Sequence, residues 1–139
     1  VPILASVVTG SVVGILSVVY IARFFGASRL IQDSLVPKSV TVPIAVTISE
    51  NIGGETSITS VVVFVVGIFG ALIGFSLMRL LHIDDPVARG LAMGSAAHGI
   101  GTARSIEKGA VEGALSGLAM ALMGVCTALL APVIARFLY

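Results

Sequence analysis

Apolar residues run without a charge for 22, 11, 23, 14 and 23 positions, over 1–22, 39–49, 56–78, 90–103 and 113–135. A helix needs about 20 such residues to cross the hydrocarbon of a bilayer. The first, third and fifth runs therefore predict full spans. The second and fourth are too short to cross alone, so they predict interrupted or re-entrant helices whose polar groups are buried in protein or line a cavity.

Turn chemistry marks the joints. Gly53-Gly54 can end one helix and Thr56 or Ser57 can cap the next, while Asp85 before Pro86 supplies a cap and a first-turn proline. Residues 23–36 mix Phe24, Phe25, Leu30, Ile31 and Leu35 with Arg23, Arg29 and Asp33. That mixture predicts a short amphipathic helix lying in the interface, capped by Ser28. Glycines recur four apart, at Gly10 and Gly14, Gly70 and Gly74, Gly90 and Gly94, and Gly109, Gly113 and Gly117. In lipid such stripes let helices approach closely, which predicts a compact bundle and names no function.

Composition settles the solvent. With 57% hydrophobic residues, 11% charged residues and a mean hydropathy of +1.13, the chain is an all-α integral membrane protein, a polytopic bundle of three full spans and two short helices. Its 139 residues form one transmembrane domain, 1–139, with no appended soluble catalytic domain. A net charge of +1, with basic residues scattered near segment ends, leaves no patch for nucleic acid. Cys126 lies inside the last run and reads as a packing residue; no disulfide or cysteine metal cluster is available to it. The first run is too long for a signal-peptide core and lacks a basic leader. A chain that begins almost directly in membrane is expected to be a segment of a longer protein.

If all five segments cross, Arg23, Arg29, Arg79, Arg89 and Arg136 fall on one side. Arg104 and Lys108 then fall on the other, with Glu50, Glu55, Glu107 and Glu112. The excess of arginine makes the first side cytoplasmic and puts the amino terminus outside. A re-entrant segment would change that count.

The chemistry sits in the two short segments. In the first, Pro37 and Pro43 break the helix, and Pro43 is expected to free carbonyls near Ser39 and Val40. Lys38, Ser39 and Thr41 stand beside the break, giving a cation and two hydroxyls for an anionic solute. Alternatively Lys38 snorkels to the headgroups and Ser39 caps a helix; spacing leaves both readings open. In the second, Gly90, Gly94, His98 and Thr102 are four apart and share a helical face. Gly99 and Gly101 predict an unwound stretch with accessible amides, near Ser95, where His98 could bond a solute or carry a proton. Arg104 is either a second cation for this site or an interfacial anchor, with Glu107 in reach to pair with it.

Enzyme chemistry finds little footing. There is no HExxH, CxxC, GxSxG or phosphate loop, and a hydrolase built on Ser95 and His98 would lack a third group. No metal or cofactor is implied.

Three stretches carry a family resemblance: PKSVTVPIA at 37–45, DDPVARGLAMGSAAHGIGTAR at 84–104 and EGALSGLAMALMGVCTALLAPV at 112–133. They resemble the LrgB/CidB family of membrane proteins, which includes the plastid glycolate/glycerate translocator of plants. The resemblance implies that this chain corresponds to the carboxy-terminal part of a family member. It implies either of two functions. One is antiholin-like or holin-like regulation of murein hydrolase export and lysis with an LrgA/CidA-type membrane partner. The other is movement of small carboxylates such as glycolate, glycerate or pyruvate. The location implied is a bacterial inner membrane, or a plastid envelope in a plant.

A lesion-forming holin needs little beyond apolar helices, whereas buried Lys38 and His98 are costly in lipid unless they bind something. The expectation is therefore a monocarboxylate transporter in which 37–43 and 95–102 face each other across one site. Lys38 would compensate the charge, and Ser39, Thr41, Ser95, His98, Gly99, Gly101 and Thr102 would supply polar contacts. The same pattern predicts a dimer through outer glycine faces.

Overall fold

The computed structural model describes residues 2–138. Six helices run through them: α1 Pro2–Phe24, α2 Arg29–Leu35, α3 Val42–Ile52, α4 Thr56–Leu80, α5 Pro86–Ile106 and α6 Ala110–Leu138. No strand occurs among the described residues. Helices α1, α4 and α6, of 23, 25 and 29 residues, are long and apolar enough to cross a membrane. At 1.5 Å per residue each extends about 34 Å or more, the thickness of a hydrocarbon core. Leu4, Tyr20, Phe64, Leu72, Val125 and Leu129 project from their outer faces, as lipid-facing side chains do.

Local chemistry sets the helix ends. Asp85 accepts from the Ala88 amide at 2.7 Å, ahead of Pro86, and Ser28 accepts from the Ile31 amide at 3.5 Å. Gly53 closes α3 at φ 90°, a left-handed conformation that glycine adopts at little cost. The cap of α4 is Glu55, not Thr56 or Ser57: its carboxylate accepts from the Ser57 hydroxyl at 2.6 Å and the Ser57 amide at 3.3 Å.

Helices α1 and α6 run parallel. The Ser11 hydroxyl donates to the Met123 sulfur at 3.2 Å, and Arg23 Nη2 donates to the Leu138 carbonyl at 3.0 Å. Their carboxy-terminal ends define a first face of the molecule. The end of α3 lies there too, since Asn51 and Ile52 share a small cavity with Arg29, Ala135 and Arg136. Helix α4 therefore starts at the first face and runs back to the second.

Neither short segment crosses. Helix α2 enters from the first face, residues 36–41 turn, and α3 returns along α6, with Ile44 against Gly124 and Asn51 beside Pro132. Helix α5 doubles back on itself at His98, whose φ of 40° and ψ of −129° are not helical. Two arms result, 86–97 and 99–106. In a straight helix Met93 and Gly101 would be about 12 Å apart; here a Cβ on Gly101 would stand 2.8 Å from the Met93 carbonyl oxygen and 2.6 Å from the Ala97 Cβ. Gly94 and Thr102 both meet Ser116 on α6. Likewise a Cβ on Gly90 would lie 2.6 Å from the Glu112 carbonyl oxygen, and one on Gly113 would lie 3.1 Å from the Ile106 Cα. Both ends of α5 thus lie by the start of α6, at the second face.

Two expectations change. With three crossings rather than five, Arg23, Arg29 and Arg136 lie at the first face, and Arg79, Arg89, Arg104 and Lys108 at the second. The arginine excess that assigned a cytoplasmic side disappears. Helix α2 is an arm of a hairpin and not an interfacial helix: Gln32, Asp33 and Ser34 are buried. Ser34 accepts from the Glu55 amide at 2.7 Å, and Thr59 donates to the Ser34 carbonyl at 2.9 Å with the Ser49 hydroxyl 2.7 Å away. This polar junction ties α2, α3 and α4 together where the hairpin enters.

Candidate functional site

The two hairpins enter from opposite faces, and their tips approach each other halfway through the molecule. Between them lies a cavity of ≈ 410 Å³ lined by Lys38 and Ser39 from one tip, Ser95 and Ala96 from the other, and Gly14 and Gly70 from the spans. Gly14 and Gly70 fall near the middles of α1 and α4, which puts the cavity at mid-depth. The volume lies in the range that holds small solutes.

Lys38 and Ser39 sit in the turn because the chain there cannot remain helical. Pro37 is buried just after α2 ends, and Lys38 and Val40 donate their amides to the Leu35 and Pro37 carbonyls at 3.1 and 3.3 Å. Pro43 does not break a helix; it sits in the first turn of α3, where its missing N–H has no partner to lose. Thr41 is the cap residue of α3, and its side chain makes no capping bond. The Lys38 ammonium donates to the Ser39 hydroxyl at 3.0 Å. No carboxylate pairs with it among the described residues.

The remaining predicted residues shape the second hairpin and do not line this cavity. His98 is 4% exposed and turned toward α4, where its Nε2 lies 3.0 Å from the Val63 carbonyl oxygen. A carbonyl only accepts, so Nε2 carries the hydrogen. His98 therefore does not share a face with Gly94 and Thr102, which point at α6: the reversal at His98 ends the helical register that predicted a common stripe. The Thr102 hydroxyl donates to the His98 carbonyl at 2.8 Å and lies 2.8 Å from the Ser116 hydroxyl. Gly101 packs against the first arm, and Gly99 stands at the tip near Met120. Arg104 is exposed at the second face and paired with Glu107.

A second cavity of ≈ 380 Å³ shares Ser95 with the central one and follows the first arm of α5 past Leu91 and Ala88 to Asp85. It links mid-depth to the second face along α1 and was not legible in the sequence. Among the described residues no cluster of three metal-binding side chains is gathered.

Three spans, two opposed re-entrant hairpins and a largely apolar mid-depth cavity that holds Lys38, Ser39 and Ser95 define a polytopic all-helical membrane protein. The sequence pattern of the LrgB-like family matches residues 1–137, and the chain belongs to that family. It is similar to the Bacillus subtilis (strain 168) protein YwbG, described as uncharacterized, with 38% identity over 99% of this chain and 61% of that protein. It is similar to antiholin-like protein LrgB of Bacillus cereus (strain B4264) and of Bacillus anthracis (strain CDC 684), each 34% identical over 98% of this chain and 59% of the relative. The chain thus spans about three fifths of the length of these relatives. No solved structure matches it.

Proposed function

We propose that this protein carries small monocarboxylates, of the glycolate, glycerate or pyruvate kind, across a bacterial cytoplasmic membrane without enzymatic chemistry. The observation that carries the reading is Lys38: an ammonium with no counter-ion among the described residues, lining a solute-sized cavity at mid-depth. A lysine at the bilayer centre costs about 3 kcal/mol, which an anion bound beside it would offset. Ser39 and Ser95 offer hydroxyls at the cavity wall. Thr41 and Gly99 stand where α3 and the second arm of α5 begin, so two positive helix ends lie near mid-depth.

Access follows from topology. The cavity beside Ser95 runs toward the second face, so entry from that face is the route this geometry favours. Release at the first face requires the α2–α3 hairpin to open instead. Two hairpins of opposite orientation around one site suit alternating access.

The test is uptake of labelled glycolate and pyruvate into proteoliposomes holding the full-length protein. Saturable uptake is expected, with at least a tenfold loss in Lys38→Ala and partial retention in Lys38→Arg. Folded protein that moves neither solute, with or without a pH gradient, would discard the transport reading.

The names of the antiholin-like relatives support a second reading, regulation of lysis through an LrgA/CidA-type partner. Val13 and Phe69, which line the cavity and are 57% and 62% exposed, leave a face where such a protein would pack. This reading predicts that function survives Lys38→Ala.

A further inference from the structure

A separate groove runs down the outer side of the first hairpin. Pro43, Ile44, Thr47 and Asn51 of α3 face Ala128 and Pro132 of α6 across a trough of ≈ 310 Å³. It shares Asn51 and Pro132 with a neighbouring hollow of ≈ 210 Å³, the mouth, that also includes Arg29 and Arg136. The groove shares no lining residue with the central cavity, so it is a distinct site.

Its chemistry is graded along the membrane normal. Ile44 packs where a Cβ on Gly124 would stand only 2.8 Å from it, which closes the groove at mid-depth. From Pro43 to Asn51 the trough is apolar but for Thr47, whose hydroxyl is turned onto the Pro43 carbonyl at 3.1 Å. That stretch is about 12 Å long at the helical rise. At the first face the lining changes abruptly: two arginines and the Asn51 amide, with no acidic side chain among the described lining residues. Arg136 is exposed in the last turn of α6, and Arg29 holds Asp33 through Nε at 3.4 Å. Guanidinium groups offer planar forks of donors that suit phosphate oxygens.

We propose that this groove holds an anionic phospholipid. The phosphate sits between Arg29 and Arg136, the glycerol region meets the Asn51 amide, and one acyl chain lies in the trough toward Pro43. An anionic headgroup is favoured over a zwitterionic one because the mouth carries net positive charge, Arg29 being shared with Asp33 while Arg136 forms no ion pair among the described residues, and an arginine near the headgroup surface contributes about fivefold in affinity for anionic lipid.

The test uses the full-length protein in native mass spectrometry, titrated with phosphatidylglycerol, with phosphatidylcholine of the same chains, and with glycerol phosphate alone. Phosphatidylglycerol is expected to be retained about tenfold over phosphatidylcholine. Arg136→Gln should reduce that preference about fivefold, and Ala128→Phe, which fills the trough, should abolish retention while helical circular dichroism is kept. Should Ala128→Phe misfold, Thr47→Phe fills the same space from α3. Equal retention of the two lipids would overturn the proposal, as would undiminished binding in the filled variant. Glycerol phosphate binding as well as the lipid would make this a free-phosphate site. Crosslinking of Ala128→Cys to a protein segment would make it a protein interface.

Discussion

His98 adopts φ 40° and ψ −129°, a region that only glycine enters without strain. Such a residue costs about 1–3 kcal/mol and persists only where its surroundings hold it. Here the hold is the Nε2 hydrogen bond to the Val63 carbonyl and the packing of the imidazole against Gly67. His98→Ala and His98→Gly both remove that bond, but only alanine keeps the backbone strain. The glycine variant should therefore unfold about 1 kcal/mol later than the alanine variant, after allowance for glycine's extra chain entropy, as thermal denaturation in detergent would measure. Glu55 makes a pH prediction. The Ser57 hydroxyl, then its amide, hold the Glu55 carboxyl below its ordinary value of 4.5. A depressed folded value means that the cap's stabilisation is present above the unfolded value and fades as pH falls through the folded one. Wild-type protein should thus lose its stability advantage over Glu55→Gln on acidification below that ordinary value of 4.5. Thermal midpoints that stay equally spaced from pH 7 to pH 3 would contradict the assignment.

The second hairpin depends on close backbone approach at a few positions. A side chain on Gly94 would collide with the Ser116 carbonyl, and one on Gly101 would stand 2.8 Å from the Met93 carbonyl oxygen. Gly117 belongs to a stripe of the same spacing, yet a Cβ there meets nothing within 4 Å. Gly94→Ala and Gly101→Ala should each destabilise the protein by about 1–3 kcal/mol, as overpacking does, while Gly117→Ala should be neutral or slightly stabilising. Equal thermal shifts for all three would sink this account of the hairpin. Spacing marked glycines on helical faces. It could not separate those that admit another backbone from those that face open space, because that depends on which helix lies opposite.

The reversal at His98 puts residues 84 and 107 at the same face, although a helix of 21 residues lies between them. A crossing helix of that length would put them on opposite faces. Cysteines introduced at Asp84 and at Glu107, in a Cys126→Ser background, should therefore both react with an impermeant maleimide added to the same side of sealed vesicles. A cysteine at Glu50, at the opposite face, should react from the other side. Labelling of 84 and 107 from opposite sides would make α5 a fourth crossing and dissolve the mid-depth cavity.

The sequence by itself determined the solvent, the three spans, the two short segments and most helix ends. These follow from local quantities: the length of a charge-free run against the thickness of hydrocarbon, and a cap residue next to a proline at Asp85-Pro86. It also singled out Lys38, Ser39 and Ser95, because polar residues beside a break in an apolar run are conspicuous. The tertiary structure alone decided that α5 returns to the face it left. Gly99 and Gly101 suggested an unwound stretch, yet the turn falls on His98, a residue whose own preference argues against it and which the Val63 carbonyl, 35 positions away, holds in place. The junction of Ser34, Ser49 and Thr59 was hidden for the same reason. Each residue looks ordinary in its own helix, and only packing brings the Thr59 hydroxyl within hydrogen-bonding distance of the Ser34 carbonyl and the Ser49 hydroxyl.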